Sequence, residues 1–105
     1  MDNFRIKLKT KPHTRQAYTF SANVDAEIVG NNEGLFINGR KVTDIFYNGI
    51  QMRLYVLGDF TTHKKNNNAE KGMEYHFLFE ENENDLKLSF DELNSKLQEA
   101  FILSL

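Results

Sequence analysis

Residues 34–58 read GLFINGRKVTDIFYNGIQMRLYVLG and hold two Asn-Gly pairs, Asn38-Gly39 and Asn48-Gly49. Asn-Gly suits the two positive-φ positions of a type I′ turn, whose twist matches the antiparallel strands on either side. Two such turns predict a three-stranded meander over about 34–37, 40–47 and 50–58. With two-residue loops throughout, Tyr47 faces Ile50, Ile45 faces Met52 and Thr43 faces Leu54 on one side. On the other side Phe46 faces Gln51, Asp44 faces Arg53 and Val42 faces Tyr55, and the Asp44–Arg53 match favours this register. The same register sets Leu35 beside Val42, so Leu35, Val42 and Tyr55 form a second apolar row. A sheet apolar on both faces is either covered twice or displays a binding patch.

Upstream of the meander, Phe4, Ile6 and Leu8 alternate with Arg5, Lys7 and Lys9, the two-residue period of a half-buried strand. Lys11-Pro12 is expected to end it, because proline donates nothing to a ladder. Tyr18, Phe20, Ala22 and Val24 alternate again, 26–29 reads as a short strand, and 30–34 as a loop. Downstream, Tyr75, Phe77 and Phe79 alternate with Glu74, His76 and Leu78. Leu86, Leu88 and Phe90 form a further alternation, so the acidic run 81–85 is expected to close a hairpin. Ser89 and Glu92 have the spacing of a capping box, and Phe90, Leu93, Leu97, Ala100 and Phe101 fall on one helical stripe. The fold expected is α+β: a mainly antiparallel β-roll or partly open barrel of six to eight strands with one C-terminal helix over about 90–102.

The 105 residues are the size of one domain, expected to span 1–105, and 40% hydrophobic residues suffice for a core. The chain has no Cys, which excludes disulfides, thiolate metal sites and cysteine nucleophiles. No apolar run approaches ~18 residues and no secretory leader is visible, so a cytoplasmic, soluble chain with no membrane partner is expected. Twelve Asn suit an AT-rich coding source of bacterial or phage type.

The net charge of −2 conceals an uneven distribution. Residues 1–15 carry five cations against one anion, while residues 73–105 carry two cations against eight anions. Three candidate binding faces follow. The first is basic, with Arg5, Lys7, Lys9 and Lys11 on one outer strand face and Lys64 and Lys65 in a loop. The second is acidic, with Glu80, Glu81, Glu83 and Asp85 joined by Asp91 and Glu92. The third is the apolar row Leu35, Val42 and Tyr55. The apolar end Phe101–Leu105 is expected to dock on the sheet or on a second copy, which would make a dimer.

No catalytic constellation appears. His13, His63 and His76 lack the spacing of a local metal site and read as ordinary polar residues, the first two in loops. Against a calcium loop, the acidic run puts Leu86 where the required Gly belongs. Residues 71–77 brush the RNA-recognition octamer at Lys71, Gly72 and Tyr75 but miss at Met73 and Glu74. No cofactor and no metal are therefore expected. The leading expectation is a non-catalytic protein-protein interaction module, such as an inhibitor, immunity or accessory protein. Single-stranded nucleic acid or another polyanion on the basic face is second, and a small enzyme third.

Overall fold

The structure, a computed structural model, describes residues 2–14, 23–57, 72–82 and 87–105, with backbone alone at 80 and 81. In chain order the strands are β1 (Phe4–Thr14), β2 (Val24–Asn31), β3 (Gly34–Ile37), β4 (Arg40–Lys41), β5 (Asp44–Tyr47), β6 (Gln51–Leu57) and β7 (Gly72–Leu78). Two helices follow, the single turn α1 (Phe79–Asn82) and α2 (Phe90–Ile102). The strands make one antiparallel sheet in the order β4-β3-β2-β1-β7-β6-β5. The chain is thus α+β: seven strands curl into a partly open barrel closed over by one long C-terminal helix.

The curl has a covalent cause. β4 and β5 stand at opposite ends of the sheet, yet Val42 and Thr43 alone separate them in the chain. The sheet must bend until those two edges meet. At the junction the Val42 N–H donates to the Leu35 carbonyl and the Thr43 N–H to the Tyr55 carbonyl, each at 2.9 Å. The expected strand 40–47 is therefore broken in two at the corner.

Alternation decides what the bend encloses. The concave face collects Leu8, Ala26, Ile28, Leu35, Ile37, Met52, Leu54, Val56, Met73, Tyr75 and Phe77. Against them α2 sets Phe90, Leu93, Leu97 and Ala100, the stripe that its sequence spacing predicts. Ser89 caps α2 with both bonds of the capping box: its hydroxyl accepts from the Glu92 N–H, and the Glu92 carboxylate accepts from the Ser89 N–H. The Tyr47 hydroxyl donates to Asp91, tying the start of the helix to the end of β5. At its other end Ser104 lies over Gly34, where a β-carbon would come within 2.5 Å of the Ser104 Cβ.

Several expectations are corrected. β1 does not stop at Pro12 but runs to Thr14, pairing with β2 through Thr10 and with β7 from Lys11 onward. Both backbone bonds of Lys9 point to the β7 side, so alternation turns Pro12 toward the β2 side, beyond the last β1–β2 pair. Residues 30–34 are no open loop, since β2 and β3 meet at Asn31 and Gly34 around a two-residue turn. The Asn38-Gly39 turn is as expected, with φ of 51° and 80°.

The second Asn-Gly turn is displaced by one residue. Tyr47 faces Met52 and Phe46 faces Arg53, so the two-residue loop is Gly49-Ile50. Asn48 stays at negative φ and uses its side-chain oxygen to accept from the Ile50 and Gln51 N–H groups. Its partner strand slides by two residues, so each side chain keeps its face while Asp44 loses Arg53 to Phe46. After β7 the chain turns into α1 rather than a hairpin, and residues 87–89 are not strand. The expected alternation at Tyr18, Phe20 and Ala22, and most of the acidic run, lie outside the described residues.

The row Leu35, Val42 and Tyr55 is not a surface patch. Leu35 and Val42 are sealed in the core, and Tyr55 is only 8% exposed. The barrel corner at Val42 turns that residue inward, which a flat register does not foresee. The apolar tail docks only in part, with Phe101 against the core while Ile102 is 62% and Leu105 is 88% exposed.

Candidate functional site: the convex face of the sheet

Pairing across β1, β7, β6 and β5 lines up two rows of outward side chains. One row runs Lys11, His76, Arg53, Phe46, and the next runs His13, Glu74, Tyr55, Asp44. Together with Thr14, most of these residues line an open dent of about 530 Å³. In the sequence His13 and His76 are unrelated residues, with His13 expected in a loop. The structure instead stacks their rings, centroids 3.8 Å apart and planes within 20°. The continuation of β1 past Pro12 brings them together, since His13 then lies opposite Glu74, two residues before His76. His63 lies outside the described residues.

Hydrogen bonding fixes the ring states. The Gln51 amide nitrogen can only donate, and it stands 3.2 Å from His76 Nδ1, which therefore accepts. The proton of His76 is then on Nε2, donated to Glu74 Oε1 at 3.2 Å. His13 donates from Nδ1 to the Lys11 carbonyl at 2.9 Å. Burial holds the His76 pKa below its ordinary 6.5; the Glu74 bond opposes this, while His13 and Arg53 add to it. Both ring nitrogens of His76 are engaged, which holds the imidazole in place against the His13 ring.

Arg53 is placed differently. Its guanidinium carbon lies 3.9 Å from the centroid of the Phe46 ring, and Phe46 is 43% exposed. Its Nη1 is 3.9 Å from Glu74 Oε1, longer than a charge-assisted hydrogen bond. Its Nε is buried with no hydrogen-bond partner among the described residues. The acids of the dent are tied more closely: Glu74 accepts from His76, and Asp44 from the Ile45 N–H at 2.9 Å. In the sequence Arg53 stands out only as a partner for Asp44, and neither Phe46 nor the histidines stand out as a site. The signal that could have found them is the outward row His76, Arg53, Phe46, which needs the register of three strands.

The basic stripe is real in geometry but largely paired in charge. Arg5, Lys7 and Lys9 all point outward from β1. Arg5 meets Glu27 at 3.0 Å, Lys9 meets Asp25 at 3.3 Å, and Lys7 stands opposite Glu27 in the ladder. Lys11 belongs to the histidine row instead, and Lys64 and Lys65 lie outside the described residues. Of the acidic face, Asp91 is held by Tyr47 and Glu92 by the helix cap. Glu83, Asp85 and the side chains of Glu80 and Glu81 lie outside the described residues.

Among the described residues no group of three or more His, Asp or Glu is placed to hold a metal ion. No helix among them is long and apolar enough to cross a membrane. No family model, curated protein or solved structure matches this chain.

Proposed function

We propose that this chain is a small non-catalytic binding domain that takes another protein on the convex face of its sheet. It acts in the manner of an inhibitor, immunity or accessory protein of bacterial or phage type, in the cytoplasm of a cell whose reducing interior suits a cysteine-free chain. One observation carries the reading: an exposed Phe46 with the Arg53 guanidinium over its ring, beside a stacked histidine pair at the rim of an open dent. Aromatic and arginine side chains held rigid on a sheet are the groups that dominate protein interfaces, because they bury area at little cost in side-chain entropy. The dent is too open to enclose a small molecule, which argues for a broad partner. The pairing of Arg5 and Lys9 with Glu27 and Asp25 weakens the case for a polyanion on the stripe.

The test is quantitative affinity capture from the source cell with wild-type protein and a Phe46→Ser variant, beside anisotropy of labelled single-stranded DNA and RNA at about 50 and 200 mM salt. A protein recovered by wild type and lost with Phe46→Ser is the expected result. Equal recovery by both proteins would move the interface elsewhere. Nucleic-acid binding that collapses at the higher salt, with no protein recovered, would overturn the reading.

A further inference from the structure

We infer that the partner presents a carboxylate to this face, with the Arg53 guanidinium as its anchor and Phe46 as the platform that orients it. The inference rests on the protein-binding reading and deepens it. The Phe46 ring, 3.9 Å from the guanidinium carbon, braces the head group of Arg53 at the dent. Nε is buried, with no acceptor among the described residues, so in a side chain 31% exposed the Nη groups are the donors a partner can reach. A guanidinium donates in a rigid fork that matches the two oxygens of a carboxylate, so one incoming carboxylate completes what Glu74, at 3.9 Å, does not. Lys11, in the same row beyond His76, adds a second positive charge.

The acids nearby decide between a single carboxylate and a polyanion. Asp44 and Glu74 flank Arg53 in the dent, and Asp25 and Glu27 interleave with the cations of β1. A nucleic-acid backbone, with a charge every few ångströms, would be driven against these acids along its length. A lone carboxylate set among neutral residues meets Arg53 between them.

A displayed library of random short peptides, selected against the wild-type protein, tests this directly. Selected peptides should share an Asp or Glu at one position, and replacing it by Asn or Gln should weaken binding about tenfold. Arg53→Gln should weaken it by a similar factor. Arg53→Lys, which keeps the charge but lacks the fork, should also bind more weakly while retaining the fold seen by amide NMR. Arg5→Gln, outside the dent, should bind as wild type does. Peptides that lose binding with Phe46→Ser yet carry no acidic position would overturn the carboxylate and leave the protein-binding face standing. Acidic peptides indifferent to Arg53→Gln would overturn the anchor. No selection above a blank surface would overturn the inference and the reading beneath it together.

Discussion

Asn82 is a polar side chain only 1% exposed, and its amide does the work of a peptide group. Its oxygen accepts from the Lys9 N–H at 2.8 Å, and its nitrogen donates to the Lys9 and Leu78 carbonyls at 3.2 and 3.1 Å. It therefore continues the β1–β7 ladder past the point where β7 has turned into α1. Asn82→Ala leaves both Lys9 groups without this partner, so it should destabilise the fold by about 3 kcal/mol in a urea titration. A loss under about 0.5 kcal/mol would mean that water replaces the amide without penalty. None of this can be read from the sequence, where Asn82 sits in an acidic run that resembles a solvated tip. Its partner is 73 residues away. His13 and His76 were hidden for the same reason, because only strand pairing makes them neighbours.

At the scale of the element, what was readable was local. The helix over 90–102 carries its stripe within its thirteen residues and its cap on Ser89 just before them, and the Asn38-Gly39 turn needs no distant partner. Ser89→Ala removes the acceptor for the Glu92 N–H and should lower stability by about 1 kcal/mol, measured as a shifted denaturation midpoint at unchanged slope. An unchanged midpoint would show that packing of the Phe90–Ala100 stripe suffices alone. The second Asn-Gly pair misled because two chemistries compete at Asn48. The residue can enter the left-handed region itself, or stay at negative φ and accept from the Ile50 and Gln51 amides with its side chain. The second wins here, and one residue of displacement replaces an Asp44–Arg53 ion pair by the Phe46–Arg53 stack.

For the whole molecule, α+β class and a partly open barrel followed from counting strands and one helix, but the closure did not. It depends on Val42 and Thr43 bridging the two ends of the sheet. The histidine pair adds a global pH dependence with a definite sign. His76 has a folded pKa below its ordinary 6.5, so the unfolded chain binds its proton more readily. Its contribution to stability is full above pH 6.5 and is lost as pH falls through 6.5 toward the folded value. Lys11, Arg53 and His13 face the ring as cations or potential cations, and Glu74 opposes them. Wild-type protein should lose more stability than a His76→Gln variant between about pH 7.5 and 5, compared by urea midpoints. Parallel losses in the two proteins would assign the dependence to other groups.

The position of β1 between β2 and β7 also sets a timetable for synthesis. The first strand to be translated is central to the sheet, and the backbone of Lys9 waits for Asn82. At ordinary translation rates those 73 residues take about 4–15 s to make. Until β7 arrives a nascent chain can build the β1-β2-β3-β4 half and the β5-β6 hairpin but not the strand that joins them, which leaves one edge of β1 open along Lys11–Thr14. An arrested chain that stops short of Gly72 should therefore be a ready substrate for chaperones and for pairing with its neighbours on the same message.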